Sequence, residues 1–365
     1  MIIFWGFITA ILSFGLSYVI KNWASKRKIA LTDPRDRDLH QKPTPRLGGV
    51  AIVGSFLVVC AVLVGIYGDK GLLDFGFPYK TLGVTIDKRL LGIILASVFI
   101  ALVMLVDDLK GVRPFYKLLA QIGAALILIL TGVGLIYLNN PFGLTIYLDN
   151  VKFPVQFAGE IFNFVLWADL FFILWVVLLT NATNFIDGLD GLASTLALIA
   201  FLTLGILSYQ NGQISTALLC AVICGATIGF LPFNLPPAKM FLGDVGSMFL
   251  GLMLATVSVI SGGKLAALMM VFALVIMDAI YVIVKRILRG KNPLTTPDKT
   301  HLHHRFLRAG LSARAILLIN ALISLAFGLF ALLFFGQMKI ILIVVLAFLT
   351  LGMFITTDLF IKSKS

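Results

Sequence analysis

Glutamate is nearly missing from this chain. Of seventeen acidic residues only Glu160 is Glu, so the carboxylates in its polar border segments are Asp, short and stiffly held. Charge of either sign is thin. Only 13% of the 365 residues are charged against 60% hydrophobic, which excludes an ordinary soluble domain. Cysteine is confined to Cys60, Cys220 and Cys224, all inside apolar runs, where a thiol packs as a small apolar group. Neither a disulfide framework nor a cysteine metal site is indicated, and nothing points to an oxidising compartment. There is no P-loop signature, so ATP is not the obvious nucleotide. Internal repeats and low-complexity segments are missing too. The first apolar run, 2–20, lacks a basic n-region and a small-residue cleavage site, and reads as a retained helix.

What the chain has in quantity is apolar runs of about 18 or more residues, each long enough to cross about 30 Å of hydrocarbon. Eleven are expected: 2–20, 47–67, 88–106, 116–138, 161–180, 191–208, 213–231, 241–261, 265–284, 315–335 and 340–360. Most are apolar all round rather than amphipathic, as a membrane span should be. The expected fold is therefore an all-α polytopic membrane protein, one integral-membrane domain over 1–365. An odd number of spans puts the termini on opposite sides. With the N-terminus outside and the C-terminus cytoplasmic, 22 of the 29 Lys and Arg face the cytoplasm, which the positive-inside rule selects. The net charge of +12 is then topology and an anionic membrane surface, with no nucleic acid implied.

That orientation gathers the unusual polar segments on one side, at about 21–46, 107–117, 181–190, 232–244 and 285–314. The first ends in Lys42-Pro-Thr-Pro-Arg46-Leu-Gly48-Gly49, whose glycine pair opens a helix where backbone N–H groups could meet an anion. The second carries Asp107-Asp108, adjacent carboxylates that repel and so call for a cation, with Lys110, Arg113 and Lys117 following. The third is Asn181-Ala-Thr-Asn184-Phe-Ile-Asp187-Gly-Leu-Asp190-Gly191, hard oxygen ligands between two apolar runs, and a polar turn at minimum. The fourth leads into Phe241-Leu-Gly-Asp244-Val-Gly-Ser247, where Asp244 is either a helix cap or a metal ligand. The fifth holds His301-Leu-His303-His304-Arg305 among Lys299, Arg308 and Arg314, a field that disfavours zinc and suits phosphate. Asp169 and Asp278 lie inside apolar runs, where an ionisable group is a functional candidate by default, and neither can be given a role.

Oxygen ligands of this kind imply Mg²⁺ or Mn²⁺, and Mg²⁺ commonly bridges few carboxylates to substrate phosphates. Basic clusters around an acidic metal site at a membrane edge suit a nucleotide diphosphate from one side and a lipid phosphate from the other. Phosphoryl transfer needs mainly positioning and charge neutralisation. A cation-coupled transporter also uses intramembrane acids, but it spreads polar groups over both faces, whereas here they crowd one.

These four motifs, Asp107-Asp108, the 181–191 run, Phe241–Ser247 and His301–Arg305, together resemble the polyprenyl-phosphate N-acetylhexosamine-1-phosphate transferases, of the glycosyltransferase 4 type. The His-x-His-His-Arg form is similar to the undecaprenyl-phosphate GlcNAc-1-phosphate branch, since the muramoyl-pentapeptide branch typically carries three histidines followed by Phe-Glu. The resemblance implies transfer of GlcNAc-1-phosphate from UDP-GlcNAc to undecaprenyl phosphate, releasing UMP and initiating an envelope polysaccharide. Another UDP-N-acetylhexosamine, UDP-MurNAc-pentapeptide included, is the alternative donor. It implies Asn184 and Asp244 at Mg²⁺-binding positions (Mn²⁺ as substitute), and Asp107 and Asp108 at the lipid phosphate. Their positioning and electrostatic role is favoured over base catalysis, because a phosphate monoester with a second pKa of about 6 is already largely dianionic. Lys117 matches a phosphate contact, and Asp187 and Asp190 match carboxylates near the nucleotide. His301, His303, His304 and Arg305 match a loop closing over diphosphate and sugar, and Arg46 and Asn181 join the substrate-binding set. A bacterial inner-membrane location, with the site on the cytoplasmic face, is implied as well. A homodimer is compatible with the sequence.

Overall fold

The computed structural model describes the chain except residues 33–42, 68–74, 76–77, 82–83, 136, 139–142, 158–159, 261–263, 289, 291–300, 335 and 365. The N-terminal part runs α1 (Ile2–Arg27), β1 (Leu31–Thr32), β2 (Thr44–Pro45), α2 (Gly48–Tyr67), β3 (Pro78–Thr81), β4 (Val84–Asp87) and α3 (Lys88–Lys110). Then come α4 (Pro114–Leu130), β5 (Tyr137–Leu138), β6 (Ile146–Tyr147), β7 (Lys152–Phe157), β8 (Glu160–Val165) and α5 (Leu166–Ile186). The remainder is helical: α6 (Leu192–Gln210), α7 (Ile214–Asn234), α8 (Gly243–Ile260), α9 (Leu265–Val271), α10 (Ala273–Leu288), α11 (Leu302–Arg308), α12 (Ala313–Leu333) and α13 (Gln337–Lys364). Consecutive strands pair as four antiparallel hairpins, β1/β2, β3/β4, β5/β6 and β7/β8.

Among the described residues nine helices are long and apolar enough to cross a membrane: α1, α2, α3, α5, α6, α7, α8, α12 and α13. The all-α polytopic architecture is therefore correct, with three of the eleven expected spans changed in form. The run expected at 116–138 yields only the 17-residue α4, which stops where Thr131 turns its hydroxyl back to the Ile127 and Leu128 carbonyls and Gly132 takes φ +87°. The run expected from 161 begins as strand β8, whose pairing with β7 claims Glu160–Val165, so helix α5 starts at Leu166. Asp169 closes that start, accepting a hydrogen bond from the Val165 N–H at 2.7 Å. The run expected at 265–284 is broken into α9 and α10, bent by 82° at Phe272. No proline lies there. The Ser324 hydroxyl of α12 donates instead to the Val271 carbonyl at 2.8 Å, satisfying a backbone acceptor at the bend.

The centre of the bundle is α8, every residue of which is buried. Small residues let its neighbours come close. A Cβ on Gly49 of α2 would lie 2.0 Å from the Gly246 nitrogen, so these two backbones meet at a separation only glycine permits. The Gly48 and Gly49 N–H groups donate to the Phe241 and Leu242 carbonyls at 2.9 and 2.7 Å, and Phe241 N–H to the Pro45 carbonyl at 2.9 Å. They are therefore engaged in the protein and are not the anion donors that their position in sequence suggested. Lys42, and Lys299 of the histidine segment, lie outside the described residues.

Candidate functional site

Three helix ends meet at the N-terminus of α8. The last turn of α3 supplies Asp107 and Asp108, and it ends at Gly111, which takes φ +74° while its N–H bonds the Asp107 carbonyl. Pro114 starts α4 at once, so Lys117 in the first turn of α4 reaches back to Asp107. Its Nζ lies 2.6 Å from Asp107 Oδ2 and 2.6 Å from Asp244 Oδ2. Asp107 Oδ1 accepts from the Val112 N–H at 2.7 Å. Asp108 does something different. Its two oxygens accept from the Asp244 and Val245 N–H groups at 3.0 and 3.1 Å, capping α8 from another helix. Gly243, with φ +73°, makes the approach feasible: a Cβ there would lie 2.2 Å from the Arg46 carbonyl and 2.8 Å from Asp108 Oδ2. The Arg46 guanidinium, half exposed, stands 4.0 Å from Asp244 Oδ1.

One ligand atom each from Asp107, Asp108 and Asp244 lies within 4.8 Å of the others, the group among the described residues placed to hold a metal ion. Three carboxylates so close suit a hard divalent cation, and the donor set fits Mg²⁺ or Mn²⁺. Lys117 supplies part of the balancing charge from within the chain.

The central run sits beside this cluster. Its first six residues, Asn181–Ile186, are the last turns of α5 and not a loop; only 187–191 turn, closed by Gly191 at φ +74°. Asn181, Asn184 and Asp187 recur every third residue and so share a helix face. Asn184 donates from Nδ2 to Ser247 Oγ at 3.0 Å, which ties it to α8 one turn beyond Asp244 and does not engage its Oδ1. Asn181 is bound within the protein, donating to Gln121 Oε1 and the Val177 carbonyl, both at 2.8 Å. Desolvation, with the negative charge of Asp244, pushes the Asp187 carboxyl well above the usual carboxylate range; Arg46 pulls the other way, and Asp108 and Asp190 add to the rise. Asp190 accepts from the Ala238 N–H at 2.9 Å, pinning the turn to the α7–α8 connection.

The histidine segment forms the far wall. His301 precedes the short helix α11, its ring 5.2 Å from Phe185 of the central run and 5.7 Å from His303. His303 and His304 rings are 4.2 Å apart. Among the described residues His303 Nε2 is buried with no hydrogen-bond partner, and a Cβ on Gly188 would lie 3.0 Å from it. Burial, and then the adjacent His304 and His301, hold the His303 imidazole well below its usual range, so that ring is neutral near pH 7. Arg305 is not at the acidic cluster. It is 1% exposed, with its guanidinium over the stacked rings of Tyr281 and Phe354, 5.1 and 4.9 Å from their centres. It donates to the Tyr281 hydroxyl and the Phe354 carbonyl at 3.2 and 3.3 Å.

The structure thus brings together Asp107, Asp108, Lys117, Asp244 and Arg46, sets Asn184 and Asp187 beside them, and packs His301 and His303 against the 185–188 stretch. Asn181, Asp190 and Arg305 tie elements together. Sequence reasoning missed Gln121 and quoted Ser247 without a role, although each had a signal: Gln121 follows Lys117 by four and Ser247 follows Asp244 by three, the spacing of one helix face. It also gave Asp278 no role, and Asp278 contacts His301 directly, Oδ2 to Nδ1 at 2.8 Å.

The sequence pattern of the family described as Glycosyl transferase family 4 matches residues 90–262. A Bacillus subtilis (strain 168) protein described as "Probable undecaprenyl-phosphate N-acetylglucosaminyl 1-phosphate transferase" is 32% identical over 308 residues, 83% of this chain and 76% of that protein. A decaprenyl-phosphate N-acetylglucosaminephosphotransferase of Mycolicibacterium smegmatis (strain ATCC 700084 / mc(2)155) is 35% identical over 352 residues, 88% of this chain and 80% of that one. A phospho-N-acetylmuramoyl-pentapeptide-transferase of Staphylococcus aureus (strain MSSA476) is 30% identical over 295 residues, 79% and 84%.

Proposed function

The chain belongs to glycosyl transferase family 4, and we propose that it transfers GlcNAc-1-phosphate from UDP-GlcNAc to undecaprenyl phosphate, yielding undecaprenyl-diphospho-GlcNAc and UMP. The observation that carries this reading is the meeting of Asp107, Asp108 and Asp244 with Lys117 at the ends of membrane helices. Such a place takes a soluble nucleotide from the aqueous side and a lipid phosphate from the bilayer. The bias of Lys and Arg supports a cytoplasmic face, and likeness to bacterial membrane enzymes supports the inner membrane.

In the reaction an oxygen of the lipid phosphate bonds to the phosphorus that carries the sugar, and the bond between the two phosphates of UDP-GlcNAc breaks, with UMP leaving. Asp244 and Asn184, with Asp107 and Asp108 alongside, would hold a divalent cation, Mg²⁺ or Mn²⁺. When bound it neutralises diphosphate charge as the transition state forms. Lys117 and Arg46 pair with phosphate oxygens once those compete for them. Asp108 fixes the α8 N-terminus and so orients Asp244. Asp187 lies toward the nucleotide, and His303 Nε2, unpaired among the described residues, finds its hydrogen-bond partner on the substrate. The lipid phosphate is largely dianionic at neutral pH, so positioning outweighs proton abstraction.

Purified protein with undecaprenyl phosphate, Mg²⁺ and a panel of UDP-N-acetylhexosamines tests this. UMP release with UDP-GlcNAc, and the lipid product's mass, is the expected result. Preference for UDP-MurNAc-pentapeptide would move the chain to the branch of the Staphylococcus aureus relative, and no release with any donor would overturn the transferase reading.

A further inference from the structure

Asp278 is a carboxylate inside an apolar helix, 2% exposed, and the transfer reaction as described gives it nothing to do. A buried charge there must be satisfied by the protein. Both of its oxygens face the same short stretch: Oδ2 lies 2.8 Å from His301 Nδ1, and Oδ1 accepts from the Leu302 N–H at 2.7 Å. It thereby bridges α10 to the start of α11. A carboxylate only accepts hydrogen bonds, so the His301 proton at this contact sits on Nδ1. The remaining ring nitrogen, Nε2, makes no hydrogen bond to a described residue. The ring faces are held as well, by Phe185 at 5.2 Å and His303 at 5.7 Å.

We infer that Asp278 is the positioning residue of His301, fixing its ring and its Nδ1–H form so that Nε2 is the atom offered to the substrate's phosphates. This rests on the transferase reading, in which the histidine segment closes over the diphosphate. A phosphate oxygen only accepts, so Nε2 meets it as a donor, in a ring whose Nδ1–H stays on Asp278 and whose charge that carboxylate faces. A neighbouring carboxylate that holds an imidazole in this way governs turnover more than binding.

The alternative is a purely structural staple for α11, and Asp278→Asn separates the two. An asparagine keeps an oxygen for the Leu302 N–H but turns an amide donor toward His301, which drives the proton to Nε2. The expected result is a fall in kcat of about 10²-fold with KM changed less than about 3-fold. In a His301→Ala background the same change should cost less than about 3-fold, because its target is gone. Full turnover in Asp278→Asn, or an equal loss in both backgrounds, would overturn the inference. Should the Asn variant not fold, the wild-type protein decides the matter. The chain has four histidines, and ¹⁵N spectra of the histidine-labelled protein at about pH 8, assigned with His→Gln variants, must show His301 protonated at Nδ1; the Nε2–H form overturns the inference. That spectrum does not depend on which donor is used, so failure of the transferase reading, no UMP from any donor, stays distinct from failure of this one.

Discussion

Asp107 and Asp108 are neighbours with different work. Asp107 holds Lys117, while Asp108 uses both oxygens to cap another helix. In Asp108→Asn one α8 N–H loses its acceptor, so melting in detergent should show a loss of about 1–3 kcal/mol together with low activity at every pH. Asp107→Asn keeps the helix ends in place and should lower kcat about equally at pH 6.5 and 8.5, because the acceptor phosphate, with a second pKa of about 6, needs little help to ionise. Recovery of activity above about pH 7.5 would instead assign Asp107 as a base. Asp187 makes a stability prediction of its own. Its folded pKa is raised, so its contribution favours the folded state at low pH and is lost as pH rises through that value. Relative to wild type, Asp187→Asn should therefore melt higher at pH 8 than at pH 5, while losing activity. At this scale the sequence was informative about residue types, since Asp and Asn at a hydrophobic border have few other uses. It did not reveal who pairs with whom. Asp278 and His301 are 23 residues apart, and no helical or strand period links such a distance.

Among elements, the site depends on how closely α2, α3 and α8 approach. Gly243 combines a positive φ with the nearness of the Arg46 carbonyl, and Gly243→Ala should cost about 1–3 kcal/mol and most of the activity. Gly352 in α13 has open space where a Cβ would point, with nothing within 4 Å, so Gly352→Ala is the control and should be neutral or mildly stabilising by thermal melting. Apolar runs revealed nearly every helix, because length and hydropathy decide what can span a bilayer. They did not reveal the break at Phe272. No glycine or proline lies between 265 and 284 to mark it, and the hydroxyl that serves the bend comes from Ser324, 53 residues after Val271. Nor did they reveal the pairing of β7 with β8, whose residues from 161 onward read equally well as the start of a span.

For the molecule as a whole, the accumulation of Lys and Arg makes a testable expectation about the side of the membrane on which the site lies. Cys60, Cys220 and Cys224 are buried, so an introduced surface thiol reports topology without interference. In intact cells a membrane-impermeant thiol reagent should label Asn211→Cys and spare Arg308→Cys; the reverse pattern would invert the orientation and place the site outside. That five polar segments belong together was legible from charge bias, whereas the nesting of α11 against α10 and α13 was not, since it depends on stacking between side chains distant in sequence. That nesting also sets an order of events during synthesis. Arg305 rests on Phe354, a residue the ribosome adds 49 positions later. A nascent chain that has reached only α12 already holds His301 through Asp278 and Phe185 but lacks the ring on which Arg305 rests. The packing that seats Arg305 is therefore complete only once α13 has been made, so the histidine helix is the last part of this wall to find its full set of neighbours.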